Sequence, residues 1–268
     1  MHEPFINIAI DAARVAENII IKAIKRLDTI KISEKSPNDY VTDVDKQVEQ
    51  AIIRVIHKAY PHHSILGEES GALTGSEDYQ WIIDPIDGTR NFIHGFPHFA
   101  ISIAVSHKNK IEHGIIYDPL RQELFTASRG KGAQLNNTRI RVSNRKQLKE
   151  CLLAAGFILR QTDRIKTGPA KTLEAILPAC GDIRRAGAAT LDLAYVACGR
   201  LDGFWEFGLH IWDIAAGILL VKEAGGMVAD LEGGEDYLKT GNIVVANPTI
   251  LKQMLKMIKP QLNPDIAI

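Results

Sequence analysis

The sequence predicts an α+β protein built as a layered sandwich, in which helices separate and flank two sheets. Three regions with different patterns support this fold class: two N-terminal helices, a run of short neighbouring strands, and alternating strands and helices after residue 150. Because helices and sheets must bury their apolar faces against other elements, these regions are expected to pack as layers.

The N-terminal region predicts two helices. The first covers residues 4–27, where apolar side chains recur at helical spacing. The second begins near Thr42, whose hydroxyl can cap the first amides with Asp45 as the reciprocal acid, and it ends before Pro61. The polar segment 35–45, which leads into this helix, is expected to be a loop.

The middle of the chain predicts an antiparallel meander. Its four strands are expected at residues 99–105, 111–117, 123–127 and 133–142. Turn-forming pairs occur at Asp118-Pro119 and Asn136-Asn137. Short strands separated by such turns usually pair with their neighbours in the chain.

After residue 150, strands and helices alternate. Strands are expected at residues 151–157, 182–185, 203–207, 227–230 and 243–246, and helices at residues 169–177, 188–198, 212–224 and 248–258. We find no internal repeat or low-complexity linker, which argues against loosely tethered domains. The prediction is one unit over residues 1–268, with an N-terminal lobe of about 1–147 and a C-terminal lobe of about 148–268.

The composition argues against several classes of protein. Lys plus Arg and Asp plus Glu number 32 each, so no global basic charge indicates nucleic acid or a membrane as partner. The basic residues within 139–149 fit a solvated face better than a nucleic-acid patch. An odd number of cysteines among small or apolar residues indicates buried reduced thiols. Without a signal peptide or a run near ~18 apolar residues, the chain is predicted to be cytoplasmic.

The most informative segment is 81–89, where a short apolar run ends in two acids, a proline and a glycine. Gly88 can adopt a positive φ and the proline restricts the backbone, so the chain should turn sharply after a buried strand. The turn would gather Asp84, Asp87 and the Ile86 carbonyl beside free amides, which suits a divalent cation that holds a phosphate. Taken alone, the same residues also fit ordinary turn chemistry.

Other acids at the ends of predicted elements favour the metal interpretation. Glu68 and Glu69 follow an apolar run, Asp213 begins an apolar segment, and Asp45 lies where a polar segment enters a helix. Turn chemistry alone does not readily explain four such positions, so the sequence predicts a metal-assisted phosphatase site. Adjacent side chains on an extended chain face opposite ways, so only one of Glu68 and Glu69 should reach a metal.

Long motifs relate the chain to a known family. They are Gly-Glu-Glu-Ser at 67–70, Trp-Ile-Ile-Asp-Pro-Ile-Asp-Gly-Thr at 81–89, and Trp-Asp-Ile-Ala-Ala-Gly at 212–217 with Glu-Ala-Gly-Gly at 223–226. Over nearly its whole length the chain resembles the inositol monophosphatase family, most closely its bacterial inositol-1-monophosphatase branch. The resemblance implies an αβαβα sandwich of the inositol monophosphatase / fructose-1,6-bisphosphatase type and a homodimer.

The resemblance also implies two to three Mg²⁺ ions per subunit. Asp84 would bridge two of them, Glu68 and the Ile86 carbonyl would complete one, and Asp87 and Asp213 would complete the second. A weakly held third ion would share Glu68. Two cations ~4 Å apart can stabilise both the attacking and the departing oxygen, and an all-oxygen ligand set suits Mg²⁺.

The same resemblance assigns the catalytic roles. The Thr89 hydroxyl, with Glu68, would take up the proton of the attacking water. Asp45 would orient Thr89, and Lys35 would lie on the segment that holds the third ion. The alternatives are a helix N-cap for Thr89, a capping acid alone for Asp45 and an exposed charge for Lys35.

Substrate contacts form a further group. The Gly88 and Thr89 amides and Asp213 are expected to contact the substrate. The small residues ahead of a predicted helix would let a polyol approach the backbone, although they also suit helix packing; they are Gly187, Ala188 and Ala189.

Polar side chains are expected around the mouth of this site. The resemblance implies that Glu206 hydrogen-bonds substrate hydroxyls, with a surface charge as the alternative. Arg184 and His210 could line the same mouth or serve ordinary surface roles. Arg90 could add positive charge near the phosphate or point away.

These observations lead to three functional hypotheses. The first is Mg²⁺-dependent hydrolysis of myo-inositol monophosphates by activated water without a phosphoenzyme, rising towards mildly alkaline pH and inhibited by lithium. The second is the same chemistry on 3′-phosphoadenosine phosphates, fructose 1,6-bisphosphate, histidinol phosphate or NADP. These would call for an aromatic platform near Glu206 or an extra basic pocket, and the sequence indicates neither. The third is a non-catalytic accessory role in a bacterial transcription complex.

Overall fold

The computed structural model describes residues 3–36, 39–76, 78–157 and 168–262, with the backbone alone at residues 35, 36 and 39. Within these ranges the chain forms fifteen strands and eight α-helices. The α+β layered sandwich predicted from the sequence is confirmed.

The N-terminal region holds two helices and a hairpin. In chain order these elements are α1 (Pro4–Ile24), β1 (Ile32–Ser36), β2 (Asp39–Thr42) and α2 (Asp43–Ala59). The loop expected over 35–45 is therefore wrong, because β1 and β2 pair antiparallel with Ile32 opposite Thr42. A solvent-exposed two-stranded hairpin needs no alternation of apolar and polar residues, so the polar sequence did not indicate that β1 and β2 pair.

The larger sheet has eight strands. They are β3 (Ser64–Gly67), β4 (Gly71–Leu73), β5 (Tyr79–Asp87), β6 (Ala100–His107), β7 (Lys110–Asp118), β8 (Glu123–Ser128), β9 (Gly132–Leu135) and β10 (Thr138–Arg139). Their spatial order is β10-β9-β8-β7-β6-β5-β3-β4. Among the described strands of this sheet, only β3 and β5 pair in parallel, so the predicted antiparallel meander is confirmed.

Two details of this sheet differ from the prediction. The single strand expected over 133–142 is two short strands, because Asn136 and Asn137 both have positive φ and close a tight hairpin between β9 and β10. A short helix, α3 (Thr89–Ile93), follows β5, and its N-cap is Gly88 with φ of 91°. Thr89 is thus the first helical residue and not the N-cap.

The smaller sheet has five strands, interspersed with the remaining helices. The strands are β11 (Leu152–Phe157), β12 (Asp182–Arg184), β13 (Gly203–Phe207), β14 (Met227–Ala229) and β15 (Ile243–Ala246), in the order β12-β11-β13-β15-β14. The helices are α4 (Gly168–Ile176), α5 (Ala189–Ala197), α6 (Ile211–Glu223), α7 (Tyr237–Thr240) and α8 (Pro248–Ile258). The sequence did not indicate β4 or α7, which are three and four residues long.

The layers follow from which helices pack on which sheet. Helices α1 and α2 cover one face of the larger sheet, α5 and α6 fill the space between the sheets, and α4 and α8 cover the outer face of the smaller sheet. Because α5 and α6 are enclosed on both sides, apolar residues surround them almost completely. A Cβ on Gly217 of α6 would lie 2.5 Å from the Leu193 side chain of α5, so this glycine permits their close packing.

Two further observations concern location. In the described ranges no helix has both the length and the apolar character that a bilayer span requires. Cys151, Cys180 and Cys198 are free, with Cys151 buried and the other two half-buried. The cytoplasmic location stays a prediction.

Candidate active site

A pocket opens where the ends of β3 and β5 meet the starts of α3, α5 and α6, with β11 and β13 forming its far wall. Predicted site residues contribute much of its lining, namely Glu68, Asp84, Ile86, Asp87, Gly88, Thr89, Gly187, Ala189, Glu206 and Asp213. The fold therefore brings together side chains separated by up to about 145 positions in the chain.

The end of β5 supplies the centre of the pocket. Asp84 is fully buried, and its Oδ1 accepts the Ile86 amide at 3.1 Å, which curls the chain back on itself. The pairing of β5 with β6 shifts register between Asp84 and Asp87, so the strand bulges there. A Cβ on Gly88 would also lie 3.0 Å from the His98 carbonyl oxygen, so the turn requires glycine for space as well as for its positive φ.

Glu68 lies beside Asp84 because β3 and β5 run in parallel with Gly67 opposite Ile83. The Glu68 amide donates to the Ile83 carbonyl at 3.1 Å, which extends this pairing by one residue. Glu68 lines the pocket, whereas Glu69 is absent from its lining and donates its amide to Glu49 at 2.9 Å. The two neighbouring glutamates thus have separate surroundings.

Thr190, near the start of α5, holds the Asp87 carboxylate. Its amide and its hydroxyl both donate to Asp87 Oδ2, at 2.7 and 2.6 Å. The Gly88 amide adds another hydrogen bond to the same carboxylate. Thr190 was not predicted as a site residue, because a threonine 103 positions from Asp87 carries no local sign of this contact.

Asp213 enters the pocket from the first turn of α6. Its Oδ2 accepts the His210 amide at 2.7 Å, so the side chain also caps the helix. His210 itself is exposed, and its ring stacks on Trp212 with centroids 4.6 Å apart. His210 is not among the residues that line the pocket.

The clustered acids raise one another's pKa. Burial raises the pKa of Asp84 and Asp213 well above the usual range, and the negative charges of neighbouring acids raise it further. Burial raises the pKa of Asp87 to about 6, although the hydrogen bonds from Thr190 and Gly88 oppose the rise. The pocket therefore concentrates negative charge that a cation or bound protons must offset.

Thr89 and Asp45 form a hydrogen-bonded pair behind this cluster. The Thr89 Oγ1 lies 3.1 Å from Asp45 Oδ1 and 3.0 Å from the Ile86 carbonyl oxygen, so its single proton has two acceptors. The other Asp45 oxygen accepts the Thr42 amide at 2.8 Å and the Thr42 hydroxyl. Burial raises the pKa of Asp45 to about 6. Asp45 thus contacts Thr89 and caps α2 at the same time.

The far wall carries the residues expected to meet the substrate. Glu206 is buried on β13, and a Cβ on Gly156 of the adjacent β11 would lie 1.8 Å from its Oε2. Gly187 and Ala189 line the pocket, while Ala188 is buried behind it and packs near Gly88. The absence of a side chain at Gly156 therefore creates the space that the Glu206 carboxylate occupies.

Arg184 is not among the described residues that line the pocket. Arg184 is exposed and pairs with Asp182 at 2.5 Å, because both side chains lie on the same face of β12. The next residue, Arg185, lines the pocket in its place and donates to the Phe157 carbonyl at 3.0 Å. Lys35 belongs to β1, and its side chain lies outside what the structure describes.

Several other lining residues were not singled out from the sequence. They are Tyr40, Gly156, Phe157, Arg185, Asp192 and Leu209. Asp192 is an acid within the otherwise apolar helix α5, and this contrast was a usable signal. Burial raises its pKa well above the usual range. Arg90, whose direction was left open, lines the pocket with its guanidinium 5.2 Å from the centre of the Tyr40 ring.

The chemistry of the donor set fits Mg²⁺. Six acidic residues and Ile86 line the pocket with no cysteine among them, and hard oxygen ligands suit this ion. Among the described residues, no three His, Cys, Asp or Glu side chains already surround one point as ligands. Glu68 and Asp84 instead share a hydrogen bond, which a cation would replace.

Known proteins resemble this chain along its length. The model of the inositol monophosphatase family matches residues 1–263. The Nus factor SuhB of Pseudomonas aeruginosa is 52% identical over 269 residues, which cover 98% of this chain and 99% of that protein.

Solved structures with similar folds include proteins of the same kind. The extragenic suppressor protein SuhB of Bartonella henselae has a TM-score of 0.94 at 41% identity, over 97% of this chain and 100% of that chain. The inositol monophosphatase from Anabaena (Nostoc) sp. PCC 7120 has a TM-score of 0.83 at 34% identity, over 97% of each chain. Sequence, fold and pocket lead to one assignment: this chain belongs to the inositol monophosphatase family.

Proposed function

We propose that the protein hydrolyses phosphate monoesters with Mg²⁺, and that myo-inositol monophosphates are its substrates. The observation that carries the proposal is the convergence of Glu68, Asp84, Asp87 and Asp213 on one pocket beside the Thr89–Asp45 pair. Membership of the inositol monophosphatase family supports a phosphatase.

Mg²⁺ would be held by these four carboxylates and the Ile86 carbonyl oxygen, and all five residues line the pocket. When bound, Mg²⁺ offsets the charge of the phosphate oxygens and lowers the pKa of water. The raised pKa of Asp84 and Asp213 supports this role, because a nearby positive charge stabilises buried carboxylates in their ionised form.

Thr89 would move a proton during the reaction. Its Oγ1 can accept a proton from the attacking water and pass its own hydroxyl proton to Asp45 Oδ1, 3.1 Å away. The Thr42 amide and hydroxyl hold the other Asp45 oxygen, which keeps that carboxylate turned towards Thr89. Direct attack by water requires no covalent intermediate on the chain.

Glu206, Gly187 and Ala189 would bind the alcohol portion of the substrate. Glu206 offers carboxylate oxygens to hydroxyl donors, and the two small residues leave the backbone accessible from the pocket. The Gly88 amide already donates to Asp87, so the Thr89 amide is the better candidate for a phosphate contact.

The deciding experiment measures phosphate release from myo-inositol 1-phosphate with and without Mg²⁺, for the wild type and Asp84→Asn. We expect turnover that depends on Mg²⁺ and falls by at least about 100-fold in the variant, because a neutral amide at this position binds cations poorly. Asp118→Asn is the matched control, since Asp118 is equally buried but lies outside the pocket.

Little turnover by a folded wild type that binds Mg²⁺ would overturn inositol phosphate as the substrate and leave the metal site intact. Equal losses in Asp84→Asn and Asp118→Asn would indicate general destabilisation and count against the assigned role of Asp84.

Another phosphate substrate is the second candidate, and two features of the pocket favour testing it. Phe157, on β11 beside the strand of Glu206, lines the pocket, as do Tyr40, Arg90 and Arg185. These are the aromatic and basic groups that an adenine nucleotide or a bisphosphate would require. A panel with 3′-phosphoadenosine 5′-phosphate, fructose 1,6-bisphosphate, histidinol phosphate and NADP decides the question by comparison of kcat/KM.

An accessory role in transcription is a candidate of another class. It rests on relatives about 51% identical to this chain that are named Nus factor SuhB. If this role is separate from hydrolysis, Asp84→Asn should lose turnover and still complement the phenotype of a strain that lacks the gene. Failure of a stably expressed variant to complement it would link the phenotype to catalysis.

The expected homodimer and inhibition by lithium also remain predictions. Sedimentation equilibrium of the wild type tests the first. Titration of Li⁺ during turnover at saturating Mg²⁺ tests the second.

A further inference from the structure

We propose that Glu49 on α2 is a positioning residue that holds Glu68 towards the pocket and thereby sets the affinity for the divalent cation. The inference rests on the proposed function in one respect, which is that Glu68 serves as a metal ligand. Glu49 does not line the pocket and would touch neither the cation nor the substrate.

The contacts of Glu49 are specific to the turn that follows β3. Its side chain is 1% exposed, and its two oxygens serve two consecutive amides. Oε2 accepts the Glu69 amide at 2.9 Å and Oε1 accepts the Ser70 amide at 2.8 Å. A carboxylate offers one acceptor oxygen to each amide, and hydrogen bonds to a charged acceptor are stronger than those to a neutral one.

Gly67 provides an independent sign of the same arrangement. A Cβ at this position would lie 2.4 Å from Glu49 Oε2 and 2.6 Å from its carboxyl carbon. The backbone of 67–70 therefore closes around the carboxylate from two directions. A side chain at Gly67 would force Glu49 out of this position.

These contacts fix the backbone on both sides of Glu68. Its own amide is bound to the Ile83 carbonyl at 3.1 Å, and the next amide is bound to Glu49. With both peptide units held, the Glu68 side chain projects into the pocket beside Asp84. Without Glu49, the turn would lose the two hydrogen bonds that hold the Glu68 side chain in the direction of the pocket.

Helix α2 links this turn to the catalytic pair. Asp45 and Glu49 are four residues apart, so they lie on one face of the helix. Asp45 contacts the Thr89 hydroxyl, while Glu49 contacts the segment that carries Glu68. One rigid helix thus aligns two parts of the site that follow different strands, β3 and β5.

Glu49→Gln tests the proposal, because glutamine keeps the size of the side chain but places an NH₂ group opposite one of the two amides. We expect the affinity for Mg²⁺ or Mn²⁺, measured by isothermal titration calorimetry without substrate, to fall about tenfold or more. The Mg²⁺ concentration for half-maximal turnover should rise in parallel, with a smaller change in kcat at saturating Mg²⁺.

Glu223→Gln is the matched control. Glu223 accepts the Gly130 and Gly132 amides with its two oxygens, each at 2.8 Å, in the turn between β8 and β9. The chemistry of the substitution is therefore the same, but Glu223 is absent from the pocket lining. This variant should lose thermal stability without losing affinity for the cation.

Each outcome decides the proposal. A folded Glu49→Gln variant with wild-type affinity overturns this inference alone, as does an equal loss of affinity in Glu223→Gln. A wild type that binds no divalent cation overturns the proposed function together with the inference. If Glu49→Gln does not fold, Glu49→Asp keeps the charge and withdraws it by one methylene, and it must weaken cation binding in the same direction.

Discussion

Hydrogen-bond donors hold the individual carboxylates of the site, and some of these donors are near in the chain while others are distant. Asp87 accepts the amide and hydroxyl of Thr190, Asp213 accepts the His210 amide, and Asp45 accepts the Thr42 amide. Each acid therefore has a defined orientation before any ligand is present. Fixed ligands bind a cation better because less rotational freedom is lost on binding.

Thr190→Val tests whether a fixed orientation of the Asp87 carboxylate strengthens cation binding. Valine keeps the branched shape but removes the hydroxyl that donates to Asp87 Oδ2 at 2.6 Å. The hydrogen bond from the backbone amide of residue 190 remains. We expect cation affinity to fall by about tenfold in a calorimetric titration. Thr190→Ser, which restores the hydroxyl, should recover most of the affinity, and equal affinities in all three proteins would contradict this role.

Gly156→Ala tests the position of Glu206. The added methyl would lie 1.8 Å from Glu206 Oε2, so the carboxylate must move. KM for myo-inositol 1-phosphate should rise several-fold, in the same direction as in Glu206→Gln, because the hydroxyl acceptor is displaced. Cation affinity should stay at the wild-type value, and an unchanged KM in Gly156→Ala would count against Glu206 as a substrate contact.

Helix α2 shows how a single element serves both stability and the site. Thr42 caps it by accepting the Val44 and Asp45 amides, and Asp45 accepts the Thr42 amide in return. Its other face packs on α1 and on the larger sheet through buried residues such as Val48 and Ile52. The capped and buried helix is a rigid base for Asp45 and Glu49.

Thr42→Ala should measure what the cap contributes. The side chain is 1% exposed, so the amides that it satisfies would lose their partner without access to water. We expect a loss of about 1–2 kcal/mol in the free energy of unfolding, seen as a Tm lower by about 3–6 °C. Thr42→Ser keeps the hydroxyl and should lie close to the wild type; a Tm as low as that of the alanine variant would argue against the cap.

At the scale of the whole molecule, the site depends on the contact between layers. Glu68 and Asp84 belong to the larger sheet, Asp213 to a helix between the sheets, and Glu206 to the smaller sheet. Packing in the central layer therefore determines how far apart the metal-binding and substrate-binding groups lie. The close approach of Gly114 on β7 to Ala216 on α6, where an added Cβ would lie 2.9 Å from the Ala216 Cα, is part of this packing.

The protonation of His98 should contribute to the pH dependence of global stability. His98 is 7% exposed, and its Nε2 has no hydrogen-bond partner among the described atoms. Burial, with a contribution from the Arg121 charge, lowers the pKa of His98 to about 4, and Asp118 opposes the shift. In the unfolded chain an ordinary histidine pKa is about 6.5. Between these values the unfolded state binds a proton that the folded state does not, so stability falls as pH decreases from about 6.5 to 4, by at most about 3 kcal/mol.

His98→Phe isolates this contribution, because other groups also titrate in the same range. Urea unfolding at pH 7 and pH 4.5 should show a smaller loss of stability in the variant than in the wild type. Identical losses in the two proteins would mean that His98 does not titrate differently on folding.

The sequence by itself determined the fold class, most of the elements and the acids that line the pocket, because these depend on local patterns. Apolar periodicity marks helices and strands, and Asp84, Asp87, Glu68 and Asp213 stand at visible element ends. Tertiary structure alone decided which residues hold those acids in place. Thr190 donates to Asp87 across 103 positions, and Glu49 accepts the Glu69 amide across 20. Nothing local distinguishes Arg185, which lines the pocket, from Arg184, which does not. The physical reason is that a buried carboxylate needs donors from whichever elements pack against it, and only the folded arrangement of the layers supplies them.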